Sequence, residues 1–171
     1  MISVSLKKLQ VMLFRKISVL IFCCSIGNAE NTADYLAMAF DAMENQDWHL
    51  ALDLAKKDGR LAQDIVEWHI LRAQLGTANA AISFLKRNGD WPGLPYLRKR
   101  SEPSFLTASA EQILEYFDEA EPKTAEGSLA YAFALKTLGK TKKANAIIRR
   151  AWQFYEMDER TLEYFQKHYF N

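Results

Sequence analysis

From residue 30 onward, apolar side chains recur at helical spacing rather than in alternation, and β-branched residues are sparse. The pattern predicts a chain of short helices. The first runs from about Thr32 to Glu44, with Tyr35, Leu36, Ala39, Phe40 and Met43 on one face. Asp47 caps a second helix through Trp48, Ala51, Leu52 and Ala55, which stops at Asp58-Gly59. A third, from Leu61 to Leu75, carries Ile65, Trp68, Leu71 and Ala73 inward and stops at Gly76. Thr77 caps a fourth through Ala81, Ile82, Phe84 and Leu85, ended by Asn88-Gly89.

A rigid corner follows. Gly89 is expected in the left-handed conformation that ends a helix. Asp90 is expected to cap the next helix, Pro92 to sit in its first turn, and Trp91 to wedge the junction. That fifth helix runs to Ser101, and Pro103 forces it to bend or end. Ser109 to Ala120 makes a sixth, with Ile113, Leu114 and Phe117 inward, and Pro122 breaks it. Thr124 caps a seventh that buries Leu129, Tyr131, Ala132, Phe133 and Leu135 and ends at Gly139. Lys140 to Tyr155 is an eighth, with Ala144, Ile147, Ile148, Ala151 and Trp152 inward. Asp158 starts a ninth through Leu162 and Phe165.

Helices of about 10–15 residues joined by tight Gly or Pro turns are the pattern of helical hairpins. Ala51, Ala81, Ala110 and Ala144 fall at gaps of 30, 29 and 34 residues on alternate helices. A small residue at such a position lets two helices approach closely, as stacked helix pairs require. The expected class is all-α: a right-handed α-superhelix or solenoid of short antiparallel helix hairpins, loosely tetratricopeptide-like. A compact helical bundle is the alternative.

Charge changes the picture at the N-terminus. The formal net charge of the 171 residues is +1, but residues 1–29 hold Lys7, Lys8, Arg15 and Lys16 and no acid. The rest is mildly acidic, which gives no support for nucleic-acid binding, since that needs a basic face. The basic start precedes an apolar run from Ile17 to Ile26, far short of the roughly 20 residues a spanning helix needs. Gly27-Asn28-Ala29 places small residues at a cleavage site, so residues 1–29 read as a secretory signal peptide. Cys23 and Cys24 both lie inside it, leaving a body, residues 30–171, without disulfide or thiolate. A cysteine-free exported body suits a bacterial periplasm, with the membrane met only during export.

Candidate chemistry is thin. His49, His69 and His168 have no second histidine or cysteine at ligand spacing. Glu67 and His69 fall on different helix faces. No phosphate-binding glycine loop or nucleophile elbow is present. Asp118, Glu119 and Glu121 form an acidic run at a helix end, and Arg98-Lys99-Arg100 and Arg149-Arg150 form basic ones, all expected as solvated faces. Trp48, Trp68, Trp91 and Trp152 are expected mostly in the core, with sugar stacking as the sharper alternative. No catalytic, cofactor-binding or metal-binding residue is assigned, and no cofactor is expected.

Asp90-Trp91-Pro92 followed by Leu97-Arg98-x-Arg100-x-Glu102 resembles the N-terminal superhelical, U-shaped domain of the soluble lytic murein transglycosylases. Ile65-x-x-Trp68 upstream and Pro122-Lys123-Thr124-Ala125-Glu126-Gly127 downstream add to the resemblance. So do Gly139-Lys140, Ala144, Ile148-Arg149-x-Ala151-Trp152 and the segment from Glu163 to Tyr169. Pro103 departs from the pattern, standing where the family continues a helix. The resemblance covers most of residues 32–171. It implies a partial, truncated superhelical domain whose family partner is the peptidoglycan glycan strand. In the family a lysozyme-like domain cleaves that strand with a single glutamate, leaving a 1,6-anhydro sugar. The Glu-Ser and Gly-Leu-Met-Gln signature of that domain is absent, so no catalytic residue carries over. The expected function is therefore the non-catalytic scaffold of a cell-wall glycan-cleaving enzyme. The alternative is a stand-alone periplasmic helical-repeat adaptor that binds a protein or peptide in a solenoid groove.

Overall fold

Helix follows helix along the chain, each set off by a side-chain cap or a tight turn. The computed structural model describes residues 34–118 and 120–169, without the side chain of His168. The expected signal peptide and the expected first-helix start at Thr32 lie outside them. The described helices are α1 (Tyr35–Glu44), α2 (Trp48–Lys57), α3 (Arg60–Arg72), α4 (Ala78–Arg87), α5 (Leu94–Ser101), α6 (Ala110–Tyr116), α7 (Ala125–Thr137), α8 (Thr141–Phe154) and α9 (Glu159–Tyr169). A 3-10 turn, Glu102–Thr107, links α5 to α6, and no strand occurs among the described residues. The class is all-α, as the periodicity predicts.

The expected caps form. Asp47 Oδ1 accepts the Leu50 amide at 3.0 Å, Thr77 Oγ1 the Ala80 amide at 3.2 Å and Thr124 Oγ1 the Gly127 amide at 3.0 Å. Asp158 Oδ1 accepts the Thr161 amide at 2.8 Å. Ser109 and Gln112 exchange two bonds as a reciprocal capping box on α6. Each such cap contributes about 1 kcal/mol by satisfying an otherwise orphan helix amide.

Packing follows chain order. α1 lies on α2, α2 on α3, α3 on α4 and α5, α6 on α4 and α7, and α7 on α8 and the 3-10 turn. Two apolar clusters result. A small one gathers Ala39, Ala42, Ala51, Leu54, Ala55, Ala62 and Val66 from α1 to α3. The larger one is built around Phe84, Leu97, Phe105, Ile113, Phe117, Tyr131, Leu135 and Phe165. α3 is the shared wall. It gives Ala62 and Val66 to one cluster and Leu71 and the flank of Trp68 to the other.

The corner departs from expectation. Gly89 is not left-handed; Gly93 is, at φ 75°, and it caps α5 in place of Asp90. Helix α5 starts at Leu94 with Pro95, not Pro92, in its first turn. Gly93 also lies under Trp68, whose Cζ2 would sit 3.9 Å from an added Cβ, so the tryptophan helix roofs the corner. Helix α3 ends at Arg72, earlier than expected. The left-handed residue after it is Gln74, at φ 64°, rather than Gly76. Its turn is closed by the Gln74 amide on the Leu71 carbonyl and the Leu75 amide on the Ile70 carbonyl, both at 3.1 Å. Helix α6 stops at Tyr116, and Pro103 turns α5 into the 3-10 segment as its ring requires. Ala51, Ala81 and Ala144 are fully buried, but Ala110 is only half-buried. Ala73, Phe133 and Trp152, expected inward, are exposed, and so is Leu162 on α9. No helix among the described residues is long and apolar enough to cross a membrane.

Candidate functional site

Two stretches far apart in sequence meet at Glu102. Pro103 stops α5 from continuing, and at that break Glu102 is buried, 2 % exposed. Its carboxylate accepts the Lys123 amide at 2.8 and 3.0 Å. It also accepts the Thr124 amide at 2.8 Å and the Thr124 hydroxyl at 2.7 Å. These donors lead into α7, whose positive end suits an anion. A Cβ on Gly127 would fall 2.2 Å from Glu102 Oε2, so only glycine leaves room for the carboxylate. On the other side of the turn the Tyr155 hydroxyl donates to the Pro122 carbonyl at 2.6 Å.

Burial pushes the Glu102 carboxyl above its ordinary range, opposed by the Thr124 hydroxyl and the Lys123 and Thr124 amides. Burial, and then the nearby Glu102 charge, pushes the Tyr116 phenol far up, and its hydroxyl donates to the Arg98 carbonyl at 2.7 Å. An acid with its oxygens committed to backbone donors staples a turn. Three of the four bonds converge on Oε2, and the side chain is buried against the turn rather than presented to solvent.

A cleft lies beside this staple. Its volume is about 490 Å³, between the segment from Leu71 to Asn79 and the segment from Arg100 to Gln112. Its polar lining is Gln74, Thr77, Asn79, Arg100, Ser101, Ser104, Thr107 and Gln112; Leu71, Gly76, Ala78, Pro103 and Ala108 complete it. No carboxylate, histidine, lysine or aromatic ring lines it. The half-buried Arg100 donates from Nε to the Arg72 carbonyl at 3.0 Å, and no carboxylate of the described residues pairs with it. The cleft offers hydroxyls, side-chain amides and one guanidinium with which to bind and orient a ligand. A second cleft of about 280 Å³, between α4, α5 and α6, contains the Lys86–Glu115 ion pair and Asp118.

The residues singled out in the sequence scatter. His49 is exposed, and the His168 side chain lies outside the described residues. His69 is half-buried, edge-on to Trp68 at 5.0 Å and to Phe40 at 6.1 Å, and burial and then Arg72 hold its imidazole below the ordinary range. Glu67 accepts Gln63 Nε2 at 2.8 Å and also pairs with Arg87. Asp64, a buried acid the sequence did not flag, takes Arg60 at 2.9 Å and Arg87 at 3.1 Å. Its place among Ala62 and Val66 on the inner half of α3 was the available signal.

Glu121 pairs with Arg150, and Glu119 lies outside the described residues. Arg98 sits over the Tyr116 ring at 5.6 Å. Trp68 and Trp91 are half-buried and pack against the larger cluster, Trp48 is half-buried, and Trp152 is exposed. The Arg72 guanidinium lies 4.2 Å from the centre of the Trp68 ring and 5.3 Å from that of the exposed Tyr96. No group of three or more His, Cys, Asp or Glu side chains converges on a metal-sized site among the described residues. No family model matches the chain, and neither a curated protein nor a solved structure does.

Proposed function

We propose that this chain is a helical-hairpin scaffold that acts by binding and shape, corresponding to the superhelical part of a periplasmic peptidoglycan lytic transglycosylase. One observation carries this reading. Two of the motifs behind the resemblance, the one ending in Glu102 and the one from Pro122 to Gly127, meet in a single staple of hydrogen bonds. A pairing of that kind accounts for why those residues occur together: the acid, the Thr-x-x-Gly turn and the proline before it form one joint between helices. In this reading the chain supplies the wall along which glycan strands pass, the hairpins stack as a right-handed superhelix, and cleavage belongs to a lysozyme-like domain. Incubation with purified peptidoglycan tests it: the chain is retained on the sacculi and releases no 1,6-anhydro-muropeptides. Release of such products by this chain would sink the scaffold reading. Export is tested separately by joining residues 1–29 to alkaline phosphatase, which gains activity only outside the cytoplasm.

A second reading, a periplasmic adaptor that binds a peptide, is favoured by one feature. The 490 Å³ cleft is within the size range of small-ligand sites and is lined by side-chain amides and hydroxyls without an aromatic platform for sugars. Capture of members of a random peptide library by the chain, and no retention on sacculi, would select this reading over the first.

A further inference from the structure

The cleft has a charge pattern that narrows what it can take. Elsewhere on α3 and α4 the cations are satisfied: Arg60 and Arg87 pair with Asp64, and Lys86 with Glu115. Arg100 differs. It is half-buried, tethered through Nε to the Arg72 carbonyl, and faces no carboxylate of the described residues. The tether fixes the guanidinium plane and leaves the edge carrying its two terminal nitrogens, the edge a carboxylate meets with two parallel bonds. The opposite wall opens at the start of α4, which has no acid in its first turn. Its cap uses the Ala80 amide, so the Ala78 and Asn79 amides add donors of the same sign.

Around this single cation stand the amides of Gln74, Asn79 and Gln112. Each amide carries a donor and an acceptor, which is also the pattern of a peptide backbone. Gln112 Oε1 is occupied by the Ser109 amide, leaving its NH₂ group for a carbonyl. One guanidinium without lysines is too little for a polyphosphate, and no ring is present for a base or a sugar to stack on.

We propose that this cleft binds the C-terminal carboxylate end of an extended peptide, with the carboxylate on Arg100 and the preceding backbone on Asn79 and Gln112. The inference deepens the peptide-binding reading and rests on it.

The test titrates the full chain with acetyl-trialanine bearing a free carboxylate, followed by backbone and arginine-side-chain NMR shifts. Shifts at Ala78, Asn79 and the Arg100 Nε–H are expected. The C-terminal amide of the same peptide binds at least tenfold more weakly, and a tripeptide amide with a central glutamate binds no better than that amide. Arg100→Gln lowers affinity at least tenfold and Arg100→Lys less. Because Arg100 also holds the Arg72 carbonyl, Asn79→Asp provides a variant that should keep the fold. An acid in the first turn of α4 favours the helix, yet it repels a bound carboxylate and weakens binding at least threefold. Equal binding of acid and amide, equal binding of the glutamate peptide, or unchanged affinity in Asn79→Asp would each overturn the site. Shifts confined to another surface would overturn it too while leaving peptide binding itself standing.

Discussion

The two apolar clusters solve the same packing problem with different side chains. The α1–α3 cluster has five alanines among its seven buried residues, joined by Leu54 and Val66. Its fully buried layer is thin in side-chain volume, and Tyr35, Leu36, Met43, Leu52 and Ile70 pack against it from the partly exposed flanks. The larger cluster is filled by rings: Phe105 lies 4.0 Å from the Tyr116 ring and 6.0 Å from Phe117, and Phe117 lies 5.1 Å from Tyr131. Each buried aromatic removes far more apolar surface from water than an alanine does. The large cluster should therefore set the global stability, and the alanine layer should open first. The cleft and the Glu102 staple both sit on the large-cluster side, where the scaffold is stiffest.

The most damaging substitution should fall in that cluster. Phe105 is fully buried at the 3-10 turn beside the staple, so Phe105→Ala should cost about 3–5 kcal/mol and lower the melting point of the larger cluster. If the larger cluster kept its melting point, the ranking of the two would be wrong. The staple can be probed by a double-mutant cycle. Gly127→Ala drives a Cβ into the Glu102 carboxylate and should destabilise by about 1–3 kcal/mol. In a Glu102→Ala background the two carboxylate contacts, at 2.2 and 2.8 Å, disappear and only the 3.0 Å approach to the Cβ of residue 102 remains. There the same change should cost less by at least about 1 kcal/mol, since the remaining contact is offset by the better helix propensity of alanine. Additivity of the two would show that they do not touch.

In the alanine layer Leu54→Ala should cost about 2–3 kcal/mol, at the low end for a buried leucine, because Leu54 is at the margin of its cluster. Amide exchange should quicken in α1 and α2 while α7 keeps its protection. Uniform loss across both regions would mean that the chain opens as one unit.

Helices were legible because capping residues announce their starts: Asp47, Thr77, Thr124 and Asp158 all cap as their positions suggest. Ends were less legible, since a left-handed residue need not be glycine. Gln74 takes that conformation two residues before the expected Gly76, and Gly93 takes it in place of Gly89. Inward faces were read well where the apolar stripe was narrow, as in α8 apart from Trp152, and poorly where the helix is apolar nearly all round. In α7 most of the residues are buried, yet Phe133 is exposed. The joint at Glu102 could not be foreseen. Nothing local says that a glutamate will fold onto a turn 21 residues away. Its trace in the sequence was the glycine at 127, out of place in a helix unless something needs the space. The cleft was equally invisible, because its two walls come from segments that only the packing of α3 and α4 against α5 and α6 brings together.

Acidity offers the gentlest way to separate the two regions, because their titrating groups have opposite signs. His69 on α3 packs against Phe40 of α1, and burial holds its imidazole below the ordinary range. The unfolded chain therefore takes up the proton first. The stability that His69 contributes is present above the ordinary imidazole range and is lost as pH falls through its lowered value. Glu102 runs the other way. Burial raises its carboxyl, so the folded state holds that proton more tightly. Its contribution is present at acid pH and is lost as pH rises through the raised value. Lowering the pH from about 7 to 5 should thus loosen the alanine layer while sparing the Glu102 joint. Asp53 on α2, whose carboxyl the Lys56 hydrogen bond and charge hold low, titrates in a more acidic window and does not blur the comparison. Exchange at the amides of α1 and of α7, followed across that range, should diverge in the wild-type chain. In His69→Phe, which keeps a ring against Phe40 but carries no proton, the divergence should shrink. If α1 in that variant still opened on acidification to the same degree, His69 would not be the group that couples the layer to pH.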